Sequence, residues 1–238
     1  MEKLNGKHVL VMGATGGIGS ALVKLLASSG AIVYMAARSQ EKLLALAEQV
    51  LIPSSRCFVV DATSPETIQE MARQFLLQVA QPDIIVNAAG IGIIKSMDNL
   101  TLEEFRRSLQ VNLEASFVLV KSFLPSMKAS GKGLIINMPG VLGKVPMAGA
   151  AAYSASKYGL VGMMQSIREE LKRTEIRITN IFLGGVDSPF WDTIDMRVQR
   201  EKMIQAEEAA RAIWFLCQQP RSGVVSEMVL QPFNHQAI

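Results

Sequence analysis

His8-Val9-Leu10-Val11-Met12-Gly13-Ala14-Thr15-Gly16-Gly17-Ile18-Gly19 is a short apolar run that breaks into glycines, and a helical pattern follows it from Gly19 to Ser29. An apolar run of this length, ended by glycines, reads as a strand covered on both faces. Each glycine has a use where a strand turns into a helix over an anion. One makes the tight turn, one lets the backbone approach a pyrophosphate, and one lets the helix pack on the strand. The helix that opens there offers unpaired N–H groups and the positive end of its dipole. The spacing is G-x-x-x-G-x-G, not G-x-G-x-x-G, and a glycine cluster alone is an ordinary turn. Its place between the first strand and the first helix makes Gly13, Thr15, Gly16, Gly17, Ile18 and Gly19 candidates for holding a dinucleotide.

Outward from this loop, strands and helices alternate. Apolar runs at Ala31–Ala36, Cys57–Val60, Asp83–Val86, Gly133–Asn137, Ile176–Leu183 and Glu227–Leu230 are separated by helical patterns. Those patterns cover Gln40–Val50, Ser64–Val79, Thr101–Ala129 (two helices), Ala152–Arg173 and Ala206–Gln218. Ser64 before Pro65, and Thr101 with Glu104 three residues on, mark helix starts. The alternation predicts an α/β fold: a Rossmann-like, doubly wound parallel sheet of order 3-2-1-4-5-6-7 with helices on both faces. Ligands are expected at the carboxyl ends of its strands. No repeat or linker interrupts the pattern, so residues 1–238 are expected to form a single domain.

Bulk properties narrow the function. The 238 residues are 49% hydrophobic and 19% charged, enough apolar mass for a large core. The net charge of +3 comes with no basic run longer than a dipeptide, which speaks against nucleic acid and fits a small anionic ligand. No apolar run approaches the roughly 20 residues of a membrane span. Cys57 and Cys217 have no metal-ligand spacing, and no metal is expected. So few thiols, with a polar Met1–Lys7 leading straight into a strand, read as a cytoplasmic protein.

The second strand ends in Ala36-Ala37-Arg38-Ser39. NAD sites usually place an acid here, on the ribose hydroxyls. None is present. Arg38 can pair with a 2′-phosphate, helped by the Ser39 hydroxyl, or it can be a solvated surface charge. The missing acid by itself favours NADP(H) over NAD(H).

Tyr153-Ser154-Ala155-Ser156-Lys157 opens the long helix. A tyrosine and a lysine four apart share a helix face. An ammonium beside a phenol lowers its pKa, which makes Tyr153 an acid/base for a carbonyl–alcohol pair. Y-x-x-x-K alone is a common accident. Here it occurs in order with the glycine loop, with Asn87-Ala88-Ala89-Gly90, with Val111-Asn112, and with Gly185-Val186-Asp187-Ser188-Pro189. Together these resemble the short-chain dehydrogenase/reductase family in its compact single-domain form, from about Lys7 to Leu230.

The resemblance implies an NADP(H)-dependent oxidoreductase acting on a small carbonyl or alcohol, with Tyr153, Lys157 and Asn112 as catalytic residues. The glycine loop would cradle the pyrophosphate, Asp61 and Ala62 would flank the adenine, and Asn87, Ala88, Ala89 and Gly90 would line the cofactor cleft. Gly185, Val186 and Ser188 would meet the nicotinamide end. Lys157 would hold the nicotinamide ribose and tune Tyr153, and Asn112 would hold a proton-relaying water. Asp61 can equally be a loop-stabilising acid, and Asn112 can simply satisfy backbone groups at a helix distortion.

The family pattern breaks at one point. Thirteen residues before the tyrosine the family has a serine that holds the substrate carbonyl; here Gly140 stands there, behind Pro139. Losing one preorganised donor costs about two to three orders of magnitude in rate. A dinucleotide-binding regulatory or structural protein with little catalysis is therefore the alternative. Gly184 also replaces the proline usual before Gly185. Gly140, Val141, Met147, Phe190 and Trp191 are candidates for the substrate pocket, the two aromatics capping it or packing on the surface. Met147–Ala152 is small and apolar, so the entrance reads as neither charged nor strongly polar. The helix from Ala152 is apolar around much of its girth, and with the family's habit this predicts a homodimer or homotetramer.

Overall fold

A computed structural model describes residues 1–220 and 222–234. The chain runs β1 (His8–Met12), α1 (Gly17–Ser28), β2 (Ile32–Ala37), α2 (Gln40–Gln49), β3 (Cys57–Val59), α3 (Pro65–Gln78) and β4 (Ile84–Asn87). It continues with α4 (Leu102–Leu109), α5 (Ala115–Ser130), β5 (Lys132–Asn137), α6 (Ala151–Leu171) and β6 (Glu175–Leu183). Two short strands, β7 (Val186–Asp187) and β8 (Ile204–Gln205), precede α7 (Ala206–Leu216) and β9 (Glu227–Leu230).

Seven strands form one parallel sheet of order β3-β2-β1-β4-β5-β6-β9, the order expected from the sequence. Successive residues of a strand point to opposite faces, so each face has its own core. Val9, Val11, Val86 and Ile136 pack under α1 and α7, whereas Leu10, Ile85, Ile135 and Ile178 pack under α3, α5 and α6. Phe75 and Phe123 meet edge to face in the second core, at 5.3 Å between ring centres.

Two features were not expected. β7 and β8 pair with each other and fence off the segment between them from the main sheet. The two helices expected in Thr101–Ala129 run on almost continuously, joined by a π-helical turn at Gln110–Glu114. α2, α3 and α4 are capped by Ser39, Ser64 and Thr101, the last through a full capping box with Glu104. α1 and α6 have no side-chain cap. The start of α1, with its free N–H groups, lines the cleft described next. Among the described residues, no helix is long and apolar enough to cross a membrane.

Candidate active site

A cleft of about 1200 Å³ opens above the carboxyl ends of the strands. Gly16, Gly17, Ile18 and Gly19 line one end of it and Arg38 reaches the same wall. Gly13 holds the turn beneath them with φ +82, a left-handed conformation that other residues adopt only under strain. A Cβ on it would lie 2.7 Å from the backbone of Ala88 and Ala89, and one on Gly19 would overlap the Gly13 carbonyl. The glycines therefore let α1 and the β4 loop close on β1. Thr15 is half-buried within the loop, outside the cleft lining.

The neighbouring candidates divide by what holds them. Ser39 accepts from the Lys42 N–H at 3.2 Å as the cap of α2, leaving its own O–H free to donate. Asp61 accepts from both the N–H and the hydroxyl of Thr63, each at 2.8 Å. Those bonds, the backbone one first, hold its carboxyl below the ordinary value. Asp61 thus builds its own loop, and neither it nor Ala62 lines the cleft. Asn87 is buried below the cleft floor, where it donates to Ser116 Oγ at 2.8 Å. Ala88, Ala89 and Gly90 form that floor.

Tyr153 and Lys157 line the same cleft as the glycine loop. They sit one turn apart on α6, with Lys157 Nζ 5.4 Å from the Tyr153 ring centre. Lys157 is 3% exposed and donates to the Met138 carbonyl at 3.1 Å. Burial pushes the Lys157 ammonium down to about 8 and the Tyr153 phenol up. This corrects the expectation that the neighbouring charge would lower the phenol. Both groups are taken out of water, and that loss outweighs their mutual interaction.

Asn112 lies in the π-helical turn, 1% exposed. Its Oδ1 accepts from Ile91 N–H at 2.9 Å; its Nδ2 donates to Ile91 O and to Ser156 Oγ, both at 3.0 Å. Its side chain thus ties the β4 loop to α6, and only its backbone carbonyl, which accepts from Ser116 Oγ at 3.0 Å, is left for a water. Ser108, Ser116 and Ser156, which complete this buried network, were not singled out in the sequence. Their one signal is spacing: Ser108, Asn112 and Ser116 follow at helical steps of four.

Gly140 adopts φ +70 and ψ 169, a combination open essentially to glycine alone. A Cβ there would meet nothing closer than the Leu183 carbonyl at 3.5 Å and Tyr153 Oη at 3.9 Å. The backbone, not lack of room, opposes a side chain. Gly140→Ser is expected to lose about 1–3 kcal/mol of stability, read from the denaturant midpoint; an unchanged midpoint contradicts the strained geometry.

Val141, Met147, Phe190 and Trp191 line the far end of the cleft, and Gly185, Val186 and Ser188 line the wall between the two ends. Phe190 packs on Tyr153 at 5.9 Å between ring centres, and Trp191 donates its indole N–H to the Val186 carbonyl at 2.9 Å. The segment between β7 and β8, residues 188–203, forms a lid that also leans on Gly92, where a Cβ would strike Phe190 and lie 2.7 Å from Ile194 Cδ1. Arg200 braces it, giving Nε to Asp187 at 2.6 Å, Nη1 to Asp192 at 2.7 Å and Nη2 to the Ser188 carbonyl at 2.7 Å. The same segment brings Arg197 and Lys202 into the lining, so the entrance is not uncharged as Met147–Ala152 alone implied.

The match to known proteins follows this geometry. The model for the short chain dehydrogenase family matches residues 7–199. The chain belongs to the short-chain dehydrogenase family. An uncharacterised oxidoreductase of Staphylococcus epidermidis is 29% identical over 98% of this short-chain dehydrogenase and 100% of its own length. The crystal structure of a metagenomic short-chain oxidoreductase in complex with NADP is 30% identical, with a TM-score of 0.83 over 97% of this chain and 99% of that one. An alcohol dehydrogenase from the archaeon Thermococcus sibiricus, complexed with 5-hydroxy-NADP, shares the fold at 24% identity and a TM-score of 0.87, covering 98% of each chain.

Proposed function

We propose that this chain is an NADP(H)-dependent reductase of a carbonyl substrate, working as one domain. The reading is carried by one observation: Tyr153, Lys157 and the uncapped start of α1 open into the same cleft. The chain fits the dinucleotide by its own geometry. The α1 N–H groups are free for the pyrophosphate, and Gly13 and Gly19 leave no Cβ in the way. Arg38, which lines the cleft, would pair with the 2′-phosphate, and the Ser39 hydroxyl, outside the lining but free to donate, would assist it.

NADP(H), when bound, supplies or accepts the hydride at its nicotinamide. All other steps fall to this chain. Tyr153, kept protonated by burial, donates its phenolic proton to the carbonyl oxygen as the alcohol forms. That state suits reduction, since oxidation would begin from the phenolate. Lys157 would hold the nicotinamide ribose hydroxyls, and its ammonium would return a proton to the phenolate left on Tyr153, itself regaining one from solvent. Asn112 is a positioning residue that fixes the Ile91 loop against α6, and its backbone carbonyl is where a relaying water would sit. Gly185, Val186 and Ser188 face the nicotinamide end, and Phe190 and Trp191 close the apolar substrate end.

The second reading, a dinucleotide-binding protein with little catalysis, is favoured by Gly140 alone. The chain is further read as a cytoplasmic homo-oligomer, on its two unpaired cysteines and on the exposed Phe117 and Tyr158 of α5 and α6.

Cofactor choice is tested by Arg38→Ala. Removing a charge-assisted contact to the 2′-phosphate is expected to weaken NADPH by about 10- to 100-fold and NADH by less than about 3-fold. Equal losses for the two dinucleotides in a fluorescence titration would dismiss the assignment.

A further inference from the structure

Among the described residues, the cleft is lined by four cations, Arg38, Lys157, Arg197 and Lys202, and by no Asp or Glu. Two of the four have roles in the reading above, which this inference rests on: Arg38 at the adenosine end and Lys157 at the nicotinamide ribose. Arg197 and Lys202 are unclaimed. The acids nearest them in sequence, Asp195 and Glu201, do not line the cleft, and Asp187 and Asp192 both bind Arg200. No side-chain hydrogen bond or ion pair to either Arg197 or Lys202 is formed among the described residues.

Both belong to the lid, which spans the cleft. The lid leaves the glycine loop at Ser188, which lies against Gly17. It crosses Tyr153 through Phe190 and seats on Gly92 through Phe190 and Ile194. Arg197 follows three residues later and lines the cleft, and Lys202 lines it next to Met203, which packs on Gly185. The cleft also has apolar walls: Ile94, Val141, Leu142, Met147 and Met196. A guanidinium on the rim of an apolar pocket matches an anion carried by an apolar body.

We propose that the substrate is an anionic carbonyl compound, with its carboxylate carried on an apolar body, and that Arg197 and Lys202 of the lid recognise that carboxylate. Arg197 and Lys202 then set substrate choice, and the cation-only lining repels carbonyl compounds that carry a positive charge. The seated lid holds the anion so that the reacting carbon lies in register with Tyr153.

A matched pair isolates the charge: 4-(hydroxymethyl)benzoate and its methyl ester. Both are titrated calorimetrically into the full chain, with and without saturating NADP⁺, so that the readout does not require turnover. The acid is expected to bind at least about 10-fold more tightly than the ester at low salt. Arg197→Gln with Lys202→Gln should abolish that preference and leave NADPH affinity within about 2-fold. Raising the salt should narrow the gap, because the rim is solvent-exposed. Equal binding of acid and ester, no binding of either, or a preference that survives both substitutions would overturn the proposal. So would a loss of NADPH affinity in the variants, which would assign the lid cations to the cofactor. Turnover of 4-formylbenzoate with NADPH forms a separate arm. Charge-selective binding without turnover would keep the anion site and refute the reductase reading.

Discussion

Tyr153→Phe is expected to lower kcat for NADPH-dependent carbonyl reduction by about three orders of magnitude, within the range general acid catalysis contributes. The affinity for NADPH should stay within about 3-fold, because the substitution removes one hydroxyl and keeps the ring that packs on Phe190. The expectation is a split between rate and binding. In the reductase reading, the phenol is, among the described residues, the only group lining the cleft beside Gly140 that burial keeps as a proton donor through the neutral range. The pH profile carries the same logic. Below about 8, Lys157 is charged and Tyr153 protonated, so kcat/KM for reduction should be level; above it the ammonium is lost and kcat/KM should fall. A Tyr153→Phe variant that keeps its rate would refute the proton donor assigned here.

Lys157→Met is expected to move activity and stability in opposite directions. Reduction should become undetectable, since the ribose contact and the charge behind the phenol both vanish. The cofactor-free fold should become more stable. Holding an ammonium from 10.5 down to about 8 costs the folded state about 3 kcal/mol, and the bond to the Met138 carbonyl returns about 1. Methionine fills the stem's volume without the charge, for a net gain of about 1–3 kcal/mol at pH 7. The sign follows from linkage. Lysine's folded pKa lies below its unfolded one, so its penalty is full below pH 8, fades between 8 and 10.5, and is gone above. The gap between variant and wild type in denaturant unfolding should therefore be widest at neutral pH and close as pH rises. A variant less stable than wild type at pH 7 would show that the buried ammonium is already compensated. Trading stability for a site in this way is common in enzymes.

Much of the fold could be read from the sequence because its strands are short apolar runs ended by turn residues, and that pattern dictates both the parallel pairing and the strand order. The glycine loop was legible for the same reason: its position between β1 and α1 carried more information than its spacing. β7 and β8 were not legible, since two-residue strands have no period to detect. The π-helical turn was hidden because its residues keep a helical apolar pattern on either side. At the site, Tyr153 and Lys157 could be placed on one helix face by counting. That burial would outweigh their interaction could not, because desolvation depends on what surrounds both groups in space. Gly140 is the sharpest case. The sequence records a missing hydroxyl, whereas the backbone at φ +70 and ψ 169 is a conformation that a serine would strain. Arg197 and Lys202 were not singled out in the sequence, because only the lid, seated on Gly92 and braced by Arg200, carries them to the cleft.

Hydride transfer itself is the most direct thing to measure. NADPH deuterated at the nicotinamide C4, each epimer separately, is incubated with the protein and an aromatic aldehyde, and the alcohol is examined by mass spectrometry. One epimer should deliver a single deuterium to the carbinol carbon, and Tyr153→Phe should suppress that product. Tight NADPH binding with no deuterium in any alcohol, from either epimer, would mean that the cleft holds the dinucleotide without using it.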